Sequence, residues 1–240
     1  MNLCVDIGNT RVKIGLFRGK ILLEQNVWTA WTLQELLDFG NQAGVKNILY
    51  SSVAAPDPNM AEQLGAYFKV FELNHKTALP FENKYGTPET LGKDRLAAVA
   101  GAQALFPGES CLVIDFGTCI KYDMLTATGV YLGGNIAPGA KMRIKAMHHF
   151  TARLPEVPME MPENFTGTST TTALQNGALR GTCLEIEGFV RLFEQKHAPL
   201  RVLLTGGDAD FFEPYLNLSN SITIPDLTLH GLNNILIYNT

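Results

Sequence analysis

The stretch Val5-Asp6-Ile7-Gly8-Asn9-Thr10 ends an apolar run a few residues into the chain, and Ile114-Asp115-Phe116-Gly117-Thr118-Cys119 returns nearly the same pattern near its middle. Both run from strand-like residues into an aspartate, one apolar residue, a glycine and small side chains. An aspartate at the end of an apolar strand is costly to bury without a partner. A Mg²⁺ ion, usually through its water shell, or another cation supplies one. Glycine permits backbone angles that turn successive N–H groups toward a phosphate, and Asn9, Thr10 and Thr118 can add side-chain hydrogen bonds. One such turn reads as an ordinary hairpin. Two copies, each opening one half of a 240-residue chain, favour paired phosphate-binding hairpins facing each other across a cleft.

Length and composition agree with a packed core. Apolar residues make up 46% and charged residues 18%, which argues against disorder. The net charge of −4 and the lack of a Lys/Arg tract make nucleic acid or an anionic membrane an unsuitable main partner. Met1–Gly15 has no basic region followed by an apolar run, and no stretch approaches the ~18 apolar residues of a membrane span. Cys4, Cys111, Cys119 and Cys183 contain no C-x-x-C pair and read as reduced thiols of a cytoplasmic protein.

The expected order is three strands, then helix, strand, helix, strand, and a similar order begins again after residue 110. Residues 3–7 and 11–17 should form an antiparallel hairpin, with Val12, Ile14 and Leu16 on its apolar face. Thr32 reads as the N-cap of a helix that turns Leu33, Leu36 and Leu37 inward. Residues 230–239 should close the fold as a helix. The chain thus reads as a duplicated α/β unit, with domains at 1–108 and 109–240. In the second copy the apolar face is Ile120, Tyr122 and Met124, one residue out of phase when the copies are aligned on Asp6 and Asp115. Because a one-residue slip reverses a strand's faces, either the second turn is one residue shorter or its strand is buried on both sides.

The paired turns resemble the phosphate motifs of the actin, sugar kinase and Hsp70 ATPase superfamily, which implies duplicated ribonuclease H-like domains, mixed sheets flanked by helices and a cleft between them. The remaining motifs resemble type III pantothenate kinase: DIGNTRVK (6–13), YGTPETLGKDR (85–95), IDFGT (114–118), GGNIAPGAKMR (133–143), TGTSTTTALQNGALRG (166–181) and LTGGDA (204–209). That family transfers phosphate from ATP to the 4′-hydroxyl of pantothenate, the first step of coenzyme A biosynthesis. The resemblance implies nucleotide binding by Asp6, Ile7, Gly8, Asn9, Thr10, Arg11, Val12, Lys13 and Thr118. It implies Mg²⁺ with Asp6 as a ligand, a monovalent cation (K⁺ or NH₄⁺) at Asp115, and a homodimer in which Thr170 serves the neighbour's acceptor site.

Asp94 follows a loop and opens an Ala-rich helix, where a carboxylate is favoured by the helix dipole. On spacing alone it either complements that dipole or does chemistry. The resemblance makes it the catalytic base, with Tyr85, Gly92, Lys93 and Arg95 lining the acceptor site. The chemistry is compatible: in a loose phosphoryl-transfer transition state the carboxylate mainly orients the hydroxyl and takes its proton late. Arg95 offers directed N–H donors to a carboxylate or amide carbonyl. Tyr85 otherwise reads as a packing residue and Thr170 as a helix cap. His148 and His149 have no spaced ligand partners and read as surface or packing residues. Cys119 stands where a smaller residue is expected and suggests sensitivity to thiol reagents. Rival readings are a non-catalytic transcription accessory factor of the same fold and another small-alcohol kinase of the superfamily.

Overall fold

The computed structural model describes residues 1–8, 11–52 and 59–240. Asn9 and Thr10, both expected to bind nucleotide, and the loop at 53–58 lie outside the described residues. The chain divides into two compact units. Met1–Glu109, Leu125–Gly133 and Asp226–Thr240 form the first, and Ser110–Met124 with Gly134–Pro225 form the second.

In the first unit the sequence runs β1 (Asn2–Ile7), β2 (Val12–Arg18), β3 (Ile21–Trp28), α1 (Leu33–Gln42), β4 (Asn47–Ser52), α2 (Met60–Gly65), β5 (Lys69–Glu72), β6 (Glu82–Asn83) and α3 (Lys93–Leu105). Its main sheet has the order β3-β2-β1-β4-β5, antiparallel on the hairpin side and parallel from β1 through β5. Period-2 alternation sorts the hairpin: Leu3, Val5, Ile7, Val12, Ile14 and Leu16 point into a core shared with Leu36 and Leu37 of α1 and with Met60 and Leu64 of α2. Thr32 caps α1 as expected: its Oγ1 accepts the Glu35 N–H, and Glu35 returns a carboxylate to the Thr32 N–H at 2.7 Å. Such a reciprocal cap is worth about 1 kcal/mol.

The second unit continues with β7 (Ser110–Phe116), β8 (Cys119–Leu125), β9 (Val130–Pro138), α4 (Ala140–His149), α5 (Thr170–Gln175), α6 (Gly181–His197), β10 (Leu200–Thr205), α7 (Ala209–Phe212) and β11 (Ser221–Thr223); β9 begins in residues that belong to the first. Its sheet runs β11-β10-β7-β8-β9. Leu112, Ile114, Phe116, Ile120, Tyr122 and Met124 face a core closed by Ile144 of α4, Leu174 of α5 and Ile186 of α6. Near its start β9 pairs with β6 through Glu82–Val130 and Asn83–Tyr131, within the first unit.

The phase puzzle resolves at the turns. Gly8 N–H donates to the Arg11 carbonyl, three residues on, at 3.1 Å. Gly117 N–H donates to the Cys119 carbonyl, two residues on, at 3.2 Å. The second turn is therefore one residue shorter, which restores its apolar residues to the core face.

The chain returns to the first unit as α8 (Leu227–Tyr238), which lies against α3 and covers the sheet face that carries Asn2, Cys4 and Asp6. Glycine makes the close crossing feasible. A Cβ on Gly231 would overlap the Ala97 carbonyl oxygen, and one on Gly101 would overlap the Leu227 carbonyl oxygen. A polar ladder fixes the docking: Asn47 Nδ2 donates to Asn2 Oδ1 at 3.0 Å, Asn2 Nδ2 to Asn233 Oδ1 at 3.1 Å, and Asn233 Nδ2 to the Gly19 carbonyl at 2.8 Å. Asn233 is buried, so its two bonds in this ladder remove the penalty of unpaired polar groups.

Candidate active site

The first unit gathers the residues expected around an acceptor. Gly92 is the N-cap residue of α3, and Lys93, Asp94 and Arg95 form its first turn. Asp94 Oδ1 accepts the Arg95 N–H at 2.9 Å, so the carboxylate is held beside the positive end of the helix dipole. A Cβ on Gly92 would press on that same oxygen, which explains why the smallest residue stands there. Arg95 is 4% exposed, an unusual burial for a guanidinium. Its Nη1 reaches Tyr85 Oη at 3.5 Å, and its Cζ lies 5.3 Å from the Tyr85 ring centre. The Tyr85 ring stacks on Tyr131 at 6.2 Å and 12°, and the bare Cα of Gly133 lets it lie close.

Sequence reasoning missed the support under Lys93. Its Nζ lies 3.2 Å from Glu72 Oε1, and Tyr50 Oη donates to Glu72 Oε2 at 3.1 Å. Burial and the Glu72 carboxylate together push the Tyr50 hydroxyl up to about 12. The available signal was a glutamate ending the apolar strand β5.

On the hairpin, Asp6 pairs in register with Lys13 on the antiparallel side and with Ser51 on the parallel side. Ser51 Oγ is buried without a hydrogen-bond partner among the described residues. Ile7 and Val12 turn their side chains into the core, so of these two only the backbone remains for a nucleotide. Arg11 is exposed.

Three separated motifs of the second unit converge on its own hairpin. Gly139 N–H donates to the Thr118 carbonyl at 3.1 Å, with a Cα so close to Gly117 and Thr118 that a side chain would not fit. Asp208 N–H donates to the Phe116 carbonyl at 3.1 Å, and Lys141 Nζ holds Asp208 Oδ1 at 2.8 Å. Gly206, at φ +97°, packs against Asp115 Oδ1 and Phe116 where any Cβ would collide. Arg143 Nε donates to the Pro138 carbonyl at 2.8 Å, and its Nη2 pairs with Glu185 Oε2 at 2.8 Å. Thr118 stands exposed on this glycine-lined surface. Close backbone approach and an exposed hydroxyl are what a phosphate group requires.

Asp115 differs from expectation. Lys121 Nζ lies 2.7 Å from Asp115 Oδ2, and both side chains are 15% exposed. The carboxylate expected to hold K⁺ or NH₄⁺ already carries an ammonium, so the residues present do not fit that ion. Among the described residues no group of three His, Cys, Asp or Glu side chains could hold a metal ion by itself. Thr170 is not the helix cap. Ser169 accepts the Thr172 N–H and caps α5, leaving Thr170 exposed as its first residue. His148 Nδ1 lies 2.7 Å from the Leu154 carbonyl on the surface, a packing role.

Comparison with known proteins decides the family. The family model for type III pantothenate kinase matches residues 2–192. The chain belongs to that family. Proteins named type III pantothenate kinase are 41% identical in Cytophaga hutchinsonii, covering 100% of both chains, and 38% identical in Christiangramia forsetii, covering 100% of this chain and 99% of that protein. Solved structures share the fold. A Campylobacter jejuni protein, solved under the name of a Baf family transcriptional activator, aligns at TM-score 0.64 and 23% identity over 99% of this chain and 98% of that one. A ROK hexokinase from Thermus thermophilus aligns at TM-score 0.53 and 16% identity, with the same coverage. This family member therefore has the duplicated actin-like α/β architecture of sugar kinases.

Proposed function

We propose that this pantothenate kinase family member transfers the γ-phosphoryl group of ATP to the 4′-hydroxyl of pantothenate, giving ADP and 4′-phosphopantothenate, the first step of coenzyme A biosynthesis. The observation that carries this reading is the acceptor arrangement at the start of α3. There Asp94 holds its carboxylate at the helix N-terminus, the buried Arg95 guanidinium lies over the Tyr85 ring, and the half-buried Lys93 ammonium is anchored by Glu72.

Asp94 accepts hydrogen bonds from the acceptor hydroxyl and orients its oxygen toward the γ-phosphorus. The O–P bond forms as the bond to ADP breaks, and the hydroxyl proton passes to Asp94 late. Arg95 and Lys93 take the pantothenate carboxylate and amide carbonyl, with Tyr85 packed behind the guanidinium. Residues 6–13 and Thr118 bind the nucleotide, aided by the backbone around Gly117, Gly139 and Gly206. Asp6 would hold the Mg²⁺ that accompanies the nucleotide, an ion that would supply neutralisation of the phosphate charge. Thr170 completes the acceptor site of a second copy in a homodimer, in keeping with its exposed position. A cytoplasmic location belongs to this reading; among the described residues no helix is long and apolar enough to cross a membrane.

An ADP-release assay with pantothenate against a panel of polyols tests the substrate assignment. Asp94→Asn should lose roughly 10²–10⁴-fold in kcat, the usual share of a general base, while still binding both substrates. A variant with near-wild-type kcat would remove Asp94 as the base.

A further inference from the structure

Each hairpin sets a lysine across from its turn aspartate. In the first, the strand register puts Asp6 opposite Lys13. In the second, the shorter turn brings Lys121 against Asp115, with Nζ 2.7 Å from Oδ2. That separation is a charge-assisted hydrogen bond rather than a loose surface pair. The pair is also mostly shielded from water, each side chain being 15% exposed.

The other carboxylate oxygen lies close to backbone. Asp115 Oδ1 lies against Gly206, whose positive φ of +97° and missing Cβ let the turn after β10 press onto it. A potassium ion needs a shell of oxygen ligands to replace its water. Around Asp115 one oxygen faces backbone and the other already holds a cation. Chemically, NH₄⁺ is the lysine head group without its stem, and the head group attached to β8 arrives with the fold.

We infer that Lys121 is a built-in monovalent cation: its ammonium holds the Asp115 carboxylate as K⁺ or NH₄⁺ would, so that nucleotide binding requires neither ion. The inference rests on the kinase reading above. Lys121 acts through Asp115 and the Gly206 turn, and is thus a positioning residue. Its removal would leave the Asp115 carboxylate facing Thr205, its register neighbour on β10, whose Oγ1 is buried without a hydrogen-bond partner among the described residues. Two oxygens of that kind can begin a coordination shell, so Lys121→Ala should create the ion requirement that the wild type lacks.

The test is calorimetric titration of MgADP into the full chain, in buffers whose only monovalent cation is K⁺, NH₄⁺ or the bulky tetramethylammonium. The wild type should bind with a Kd that varies less than about 2-fold across the three. Lys121→Ala should bind about 10-fold more weakly in tetramethylammonium, the scale of one lost hydrogen bond to a charged group, and recover in K⁺ or NH₄⁺. Tighter wild-type binding by 10-fold in K⁺ than in tetramethylammonium overturns the proposal, and this arm needs no variant to fold. So does a folded Lys121→Ala protein that binds like the wild type without K⁺. Absence of nucleotide binding by the wild type in every buffer overturns the kinase reading, and this inference with it.

Discussion

Replacing Gly231 with alanine should destabilise the protein although alanine is the better helix former. Gly231 lies inside α8, where the change gains about 1 kcal/mol of helix propensity. The added methyl group, however, would occupy the position of the Ala97 carbonyl oxygen in α3. Backbone cannot rotate aside like a side chain, so one helix must move. Overpacking of this kind costs about 1–3 kcal/mol, and a backbone collision belongs at the upper end. The net loss is about 2 kcal/mol. For a chain of this length about 1 kcal/mol shifts Tm by roughly 2–4 °C, so the melt should fall by roughly 4–8 °C.

Gly188→Ala is the matched control. It also lies inside a helix, α6, but a Cβ there meets nothing within 4 Å. Only the propensity gain remains, and its melt should rise by roughly 1–4 °C. Thermal unfolding followed by circular dichroism reads both. Because α3 carries Asp94 and Arg95, Gly231→Ala should also raise the KM for pantothenate, whereas Gly188→Ala should not. Two variants melting on the same side of the wild type would refute the argument from the crossing.

Glu72→Gln should lower the Tyr50 titration from about 12, read as tyrosinate absorbance, and raise the KM for pantothenate about 2–5-fold as Lys93 loses its anchor; an unchanged Tyr50 titration would show that burial alone sets it. Asp226 is held below the usual carboxylate range, chiefly by the hydrogen bond from His230. A lowered folded pKa means that its stabilisation is complete above about pH 4 and is lost as pH falls through the folded value. Asp226→Asn should thus flatten the acid limb of a Tm-against-pH curve without changing its shape above about pH 5; an acid limb as steep as the wild type's would refute this. Cys119 is half-buried whereas Cys4, Cys111 and Cys183 are buried, and burial raises the thiols of Cys4 and Cys183, the latter to about 11. Peptide mapping after brief alkylation of the folded protein should find Cys119 labelled first, and unchanged kinase activity after its complete labelling would separate that thiol from the nucleotide surface.

What the sequence made readable follows from how locally each feature is encoded. Alternation and a capping box are written in neighbouring residues, so the β1–β2 hairpin and the start of α1 could be placed from them. The two residues of β6 are too few to show any period, and only pairing with β9 makes them a strand. Helix-forming residues run on to Leu154, yet α4 ends at His149, where Thr151 Oγ1 donates back to the Met147 carbonyl and satisfies the helix end without further turns. The helical run from Thr170 to His197 is interrupted by a wide turn at Asn176–Arg180, where the Asn176 and Arg180 side chains bind the Asn164 and Pro162 carbonyls of the preceding loop. That interruption depends on the loop, which helical periodicity does not register.

The site shows the same division most sharply at its lysines. Asp6 and Lys13 are seven residues apart, Asp115 and Lys121 six, so an alignment on the aspartates places Lys121 one position out of phase. Only the shorter Gly117–Cys119 turn brings it to its carboxylate. A motif can thus preserve its aspartate and glycine while one deleted turn residue still leaves its charge partner in place. The electrostatics of such a hairpin are set by strand register, and aligned letters alone misplace them.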